Sequence, residues 1–389
     1  MSLTYLLLLL YPLVITSGGG WEMSKCMRNH MKANQILKQE QNVGDDDDNM
    51  EPKFTISTIL DETSRNCVPA SSLPNIYSAQ CATLTSKDAL AAEESFLVDF
   101  NNGRLGNQIS SLASVFALAK LRGLKPMLTH RCQDVLSTYF TNLTIPVLEQ
   151  TYCNPCTQFN FQSLEEDTVP VLYGRAYKLA AAYSNMIPRY AEYLPELRSM
   201  LAFKPEYAAA ARKVLERAAA EMGFASSPTF VGVHNRRTDY KSHMMAYDKE
   251  FVGPDYFQAA FRLFRKTLKN PIFVVVTDDM AWARRYITGS DVFYSHESDA
   301  LQEKGGQFGT GVDLATLAAC NHTIITYGTF GLWGSLLSRG ATIISSRAVV
   351  LKGLIERADL SQFVFLNEEE NWESLEGTVS RAIESVTLM

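Results

Sequence analysis

The strongest constraint on this 389-residue chain is the run Ile272-Phe273-Val274-Val275-Val276-Thr277, apolar almost throughout and followed at once by Asp278 and Asp279. A strand without a polar face has no side to turn to water, so it belongs inside a sheet covered on both faces, as parallel strands between helices are. The neighbouring segments have the matching texture. Strand patterns at 229–233, 292–294, 323–326 and 341–345 alternate with helix patterns at 254–268, 311–320 and 331–338. Such alternation predicts a doubly wound α/β sheet, whose ligands bind just past the carboxyl ends of its strands.

A second unit precedes it. Residues 96–100 read as a short strand, a glycine-containing turn follows, and 109–121 read as a helix that is apolar nearly all round and therefore buried. Gly123 stops this helix, and another extended segment starts at Pro126. A long helix at 207–222 links the halves. The expected fold is α/β, with two Rossmann-like domains facing a cleft at 91–225 and 226–389, the second closed by a C-terminal helix. An apolar fraction of 46% against 20% charged residues is ample for such a core. The net charge of −6 argues against a nucleic-acid partner, which would need clustered Lys and Arg.

The N-terminus bears on compartment. Residues 3–16 are uncharged and mostly apolar, and Ser17-Gly18-Gly19-Gly20 follows. As a helix this stretch is about 21 Å long, against roughly 30 Å of bilayer hydrocarbon. A signal peptide or short anchor over 1–20 is expected, with membrane contact only through that segment if it stays uncleaved. Residues 21–90 read as a stem whose aspartate run, Asp45 to Asp48, stays solvated. Sequons at Asn142 and Asn321 are compatible with a lumenal location. Seven cysteines permit up to three disulfides, and the pair Cys153 and Cys156 lacks the companions of a zinc site.

Three loops fall where the fold predicts ligands. In the first, Asn102-Gly103-Arg104-Leu105-Gly106-Asn107-Gln108, two glycines admit close approach and Arg104, Asn107 and Gln108 offer planar groups suited to sugar hydroxyls. The second, His234-Asn235-Arg236-Arg237-Thr238-Asp239, gathers guanidinium groups that fork onto phosphate. A surface ion-pair cluster is the alternative for it. The third comprises Asp278-Asp279 and Gly328-Thr329-Phe330-Gly331, carboxylates able to accept from a guanine ring and a glycine turn presenting backbone N–H groups. Adjacent aspartates lack the spacing of a metal motif, so no metal or other cofactor is expected.

The segments 100–108, 234–239 and 313–331 together resemble the signature segments of the galactoside 2-alpha-fucosyltransferases. The resemblance runs from about residue 96 to 345, with Thr238 standing where close relatives usually carry Gly. It implies a two-domain GT-B fold, GDP-fucose as donor without metal, a galactose-terminated glycan as acceptor, and inversion at the anomeric carbon. By the same resemblance Arg236 and Asn107 are catalytic. Arg236 takes the charge growing on the departing phosphate; Asn107 orients the acceptor or the fucose. His234, Arg236, Arg237, Asp239, Asp279 and 328–331 hold the donor, with Asp279 reading guanine. Gly103, Arg104, Gly106, Asn107 and Gln108 face the sugar. The expected location is the Golgi lumen, as a type II anchored or secreted protein. Asp239 is a candidate base, but pairing with an adjacent arginine suits a structural role better, and the base is unassigned. The competing expectations are a protein O-fucosyltransferase or other GDP-sugar transferase, and a glycan- or nucleotide-binding protein without turnover.

Overall fold

The computed structural model describes residues 95–101, 103–148, 162–164, 176–179, 185–223, 228–238, 240–241, 244, 250–295, 305–367 and 372–387, all within the compact unit Thr63–Met389. The signal or anchor segment, the stem, Asn102, Asp239 and the cysteines Cys26, Cys67, Cys81, Cys153 and Cys156 lie outside the described residues.

The first elements are β1 (Phe96–Val98), α1 (Leu105–Arg122), β2 (Lys125–Pro126), α2 (His130–Tyr139), β3 (Gln162–Leu164), β4 (Ala176–Leu179), α3 (Ile187–Tyr190), α4 (Leu194–Met200) and α5 (Pro205–Glu221). There follow β5 (Thr229–Asn235), α6 (Pro254–Thr267), β6 (Pro271–Thr277), α7 (Met280–Tyr286), β7 (Val292–Tyr294) and α8 (Gly305–Ala319). The last are β8 (His322–Ile325), α9 (Thr329–Ser338), β9 (Thr342–Ser345), α10 (Val349–Arg357), β10 (Phe363–Leu366) and α11 (Glu376–Thr387). Two sheets result, one of four strands in the order β2-β1-β4-β3 and one of six in the order β10-β9-β8-β5-β6-β7. Every strand pairing in both is parallel.

The strand order places the site. From β5 the chain builds outward through β6 to β7, then returns to lay β8 on the other side of β5. The loops leaving β5 and β8 therefore part in opposite directions, and a crevice opens between them.

Helix α1 is buried from Leu105 to Ala119 except at Asn107 and Phe116. Ile109, Leu112 and Ala113 join the core that contains β5 and β6, whereas Val115, Leu118 and Ala119 pack with Leu97, Tyr177 and Leu179 of the first sheet. A helix lying between two sheets has no solvent face, which is why its sequence is apolar all round. It begins at Leu105, four residues ahead of the start expected from sequence, although Gly106 and Asn107 are poor helix formers and Arg104 supplies no side-chain cap. At its other end Gly123 takes φ 65° and sends its N–H to Ala119, a left-handed stop.

Two differences from the sequence expectation matter for function. Strand β5 continues through His234 and Asn235, which pair with Val276 and Thr277 despite weak strand propensity. Helix α8 starts at Gly305 rather than 311, because packing onto α5 overrides the glycine-rich GGQFGTG stretch. Gly311 lies against the rings of Tyr207 and Tyr139 with no room for a Cβ. Cys132 and Cys320 are buried free thiols, so any disulfide falls to cysteines beyond the described residues. Among the described residues no helix is long and apolar enough to cross a membrane.

Candidate active site

Strand β5 delivers its side chains at the switch point. His234 and Asn235 are buried, and Arg236 and Arg237 follow at half-exposed positions. The loop beyond is held by a neighbour. The Asp278 carboxylate accepts from the backbone N–H of Arg237 at 2.7 Å, from that of Thr238 at 3.2 Å, and from Thr238 Oγ1 at 2.7 Å. The Arg237 guanidinium lies 3.8 Å from the centre of the Trp282 ring and 4.7 Å from that of Phe251, with its Nε 3.8 Å from Asp279 Oδ2. Arg237 is thus a buttress, acting through Asp279 and two aromatic faces. The other oxygen of Asp279 caps α7, accepting from Trp282 N at 3.0 Å.

Arg236 points elsewhere. Its guanidinium stacks over Tyr240, 5.0 Å from the ring centre, and Tyr240 in turn stacks on Tyr327 with the planes 7° apart. A Cβ at Gly328 would lie 3.5 Å from the Arg236 fork, so the turn before α9 passes directly beside it. Gly328 adopts φ 88°, a conformation that only glycine takes without strain. Arg236 and the N-terminal turn of α9 therefore converge, a fixed positive charge beside the backbone N–H groups of a helix's first turn.

His234 is held neutral. Burial, and secondarily the charge of Arg236, push its pKa down to about 4, against a smaller opposing pull from Asp278. Its ring lies 5.4 Å from that of Phe330, and a Cβ on Gly331 would come within 2.5 Å of Nδ1. His234 Nδ1, Asn235 Oδ1 and Thr326 Oγ1 are all buried without a hydrogen-bond partner among the described residues. They sit at the adjoining ends of β5 and β8.

The loop after β1 comes to the same crevice from the other sheet. Gln108 is fully buried, and its Nε2 donates to Asn101 O at 2.7 Å and Gly103 O at 2.9 Å. Asn101 Oδ1 accepts from Gly103 N at 2.7 Å. Gln108 is therefore an internal brace through its donors, while its Oε1 is buried with no hydrogen-bond partner among the described residues. Gly106 is also structural. A Cβ there would stand 2.6 Å from Phe330 N and 2.8 Å from the Thr329 carbonyl carbon, so the first turns of α1 and α9 meet backbone to backbone. Arg104 is exposed on the rim. Asn107 is half-buried, and its Oδ1 accepts from Thr329 Oγ1 at 2.7 Å.

The structure thus brings together His234, Arg236, Asn107, Gly103, Gly106 and 328–331. It sets Arg237 and Asp279 behind them as support. Sequence reasoning missed Asn101, the Tyr240–Tyr327 stack and the clamping role of Asp278. The position of Asp278 beside Asp279 at a strand end was the available signal, but its partners lie some forty residues away (for Thr238, a separation of 40). Among the described residues no three His, Cys, Asp or Glu side chains stand close enough to hold a metal ion.

The family model described as Glycosyl transferase family 11 matches residues 68–350. Galactoside 2-alpha-L-fucosyltransferase SEC1 of Bos taurus is 30% identical over 289 residues, covering 73% of this chain and 74% of that protein. Galactoside alpha-(1,2)-fucosyltransferase 2 of Pongo pygmaeus is 32% identical over 244 residues, covering 62% and 68%. A crystal structure of NodZ alpha-1,6-fucosyltransferase soaked with GDP-fucose superposes with a TM-score of 0.38 at 16% identity, covering 63% of this chain and 92% of that one. A match from residue 68 to 350 takes in both sheets' site loops, and on it the chain belongs to glycosyl transferase family 11.

Proposed function

We propose that this glycosyltransferase moves L-fucose from GDP-β-L-fucose to the 2-hydroxyl of a terminal β-galactose on a glycan, with inversion at the anomeric carbon. The observation that carries the reading is the convergence of Arg236, the N-terminal turn of α9 and Asn107 at one crevice between the sheets. The names of the relatives point to fucose and galactose. The six-stranded order supports a Rossmann-like donor domain over 226–389, facing an acceptor-side domain over 91–225 as in a GT-B fold.

The chemistry follows from where charge grows. In a single in-line displacement the acceptor hydroxyl attacks as GDP departs, through an oxocarbenium-like state, and negative charge gathers on the outer phosphate. Arg236 and the backbone N–H groups of α9 already face that position, so their stabilisation is greatest in the transition state and needs no reorganisation. Neutral His234 adds an N–H donor without a competing charge. Asp279, partly engaged by Arg237 and its own helix, keeps accessible carboxylate surface for the guanine edge. An amide is no base, so Asn107 serves by orientation.

Donor binding in this reading needs no metal. GDP at about 100 times its dissociation constant adds roughly 2.7 kcal/mol to stability, and the rise in melting temperature persists with a chelator. The deciding experiment offers GDP-fucose, GDP-mannose and UDP-galactose, each with a β-galactoside and with a folded protein acceptor. Transfer from GDP-fucose to the 2-hydroxyl of galactose is the expected result. Transfer to the protein, or from another donor, would replace this reading, and binding without turnover would reduce the chain to a lectin-like role.

The same reading places the protein in the Golgi lumen, anchored or secreted through residues 1–20. Asn142 and Thr144 are exposed, and Asn142 Nδ2 donates to Ser199 O at 3.3 Å. Asn321 is exposed too, but its Oδ1 accepts from Phe230 N at 2.9 Å and its sequon partner Thr323 is fully buried. Glycosidase digestion of protein from eukaryotic cells should shift its gel mobility through Asn142, with Asn321 the lesser site. Cytosolic protein with no shift would overturn the assignment.

A further inference from the structure

An asparagine amide has an acceptor end and a donor end of nearly the same shape. What it presents to a ligand is decided by the neighbour that holds the other end. At Asn107 that neighbour comes from the opposite sheet: Thr329 Oγ1 donates to Oδ1 at 2.7 Å across a sequence separation of 222. The bond is backed by rigid contact, since Gly106 leaves no space between α1 and the backbone of Thr329 and Phe330. On the other side a Cβ at Gly103 would collide with the Asn107 side chain, Nδ2 included. Asn107 Nδ2 itself makes no hydrogen bond to a described residue.

We propose that Thr329 is a positioning residue for transfer, whose hydroxyl turns the Asn107 amide so that Asn107 meets the sugar as a hydrogen-bond donor. The inference rests on the fucosyl-transfer reading above and gives Thr329 a role other than holding the donor. A threonine hydroxyl has one proton, and here it goes to Asn107, so the phosphates are left to the α9 backbone and Arg236. With Oδ1 turned to Thr329, the Nδ2 end is the one left to donate to a ring or hydroxyl oxygen. The bond also spans the two sheets, so the amide is correctly turned only while α1 and α9 stay docked.

Three variants test this. Thr329→Val keeps the shape and loses the hydroxyl; Thr329→Ser keeps the hydroxyl; Asn107→Asp still accepts from Thr329 but has no donor. Thr329→Val should lower kcat roughly tenfold or more, with the melting shift produced by GDP unchanged. Thr329→Ser should stay within about twofold of the parent. Asn107→Asp should lose as much kcat as Asn107→Ala, and in the Asn107→Ala background Thr329→Val should cost nothing further. Independent losses in that cycle, a weaker GDP shift in Thr329→Val, or an active Asn107→Asp would each overturn the proposal. The same cycle read as melting temperature reports the bond without substrate. An inactive parent would thus end the functional reading, while additive melting shifts would end this one.

Discussion

The loop after β1 and the loop after β5 leave equivalent places, the carboxyl ends of parallel strands, yet they are held in opposite ways. The first braces itself with neutral amides: Gln108 donates to two carbonyls of its own loop, and Asn101 accepts from Gly103. The second is gripped from outside by the Asp278 carboxylate, with Arg237 wedged between Trp282 and Phe251. A self-braced loop can leave one uncharged amide, Asn107, accurately placed. A loop clamped by charge can carry two adjacent guanidinium groups, using one as a buttress and turning the other to the crevice. In the proposed reaction, orientation falls to the first loop and charge to the second.

The sharpest way to break this division is Arg236→Lys. Lysine keeps the charge and loses the planar fork. If Arg236 holds two phosphate oxygens, kcat should fall about a hundredfold or more, nearly as far as in Arg236→Ala. Steady-state kinetics with GDP-fucose decide it. A lysine variant that keeps most of its turnover would make Arg236 a distant charge.

Next come the two glycines of the first loop, which should fail differently. Gly103→Ala pushes on the Cβ as well as the amide of Asn107, and the Cβ cannot rotate away, so the loop itself must shift; turnover should drop about tenfold, with a stability loss smaller than that of Gly106→Ala. Gly106→Ala pushes on the backbone of Thr329 and Phe330, which cannot yield, and should cost about 1–3 kcal/mol of stability as well. Kinetics and melting on both proteins separate the cases. Equal melting losses would mean that α1 and α9 are not rigidly docked.

These contrasts show what the sequence could reveal. The first loop is legible because its parts are local: Gly103, Gly106 and Asn107 lie within five residues, between a strand and a helix. In the second sheet β6 and β7 are plain, since runs such as FVVV and VFY have no other use than burial. The short strands β3 and β4 and the strand β10 escape a sequence reading, as do the helices α2 and α10, although Cys132, Val135, Leu136 and Tyr139 of α2 do follow helical spacing. The bracing by Gln108 could not be read, because its carbonyl partners appear only once the loop has closed. Asp278 stands out in the sequence, but its grip on Arg237 and Thr238 is set by the β5–β6 register, which no local pattern encodes.

Smaller effects should follow from loosening each brace. Asp278→Asn keeps one acceptor oxygen and turns the other into an NH2 donor, so either Arg237 N or Thr238 loses its partner, a loss of about 1–3 kcal/mol in holding the loop, and GDP binding should weaken several-fold. Gln108→Leu leaves two carbonyls unpaired at a similar cost, and should lower turnover while sparing GDP affinity. Calorimetry with GDP beside turnover on each variant is the check. If Gln108→Leu weakens GDP binding as much as Asp278→Asn, the division of labour between the loops is wrong.

The last expected effect vanishes at neutral pH and belongs to the second sheet alone. His234 and His322, in β5 and β8, are both buried, and burial is the leading reason that each pKa is lowered from 6.5 to about 4. At His322 the neutral ring has a definite use, because Nδ1 accepts from Ala341 N at 3.1 Å and protonation must break that bond. The unfolded chain takes up these protons first as pH falls, so the folded state loses ground. Stability is full above pH 6.5 and drains away as pH falls towards about 4, by at most about 3 kcal/mol per imidazole. Melting temperature should therefore be flat from pH 8 to about 6.5 and decline below it. His322→Gln, which keeps an acceptor but cannot titrate, should be less stable than the parent at pH 7 yet decline less steeply. Identical slopes in the two proteins would show that His322 is not held neutral by the sheet around it, and the acid sensitivity would then rest with His234 and the carboxylates.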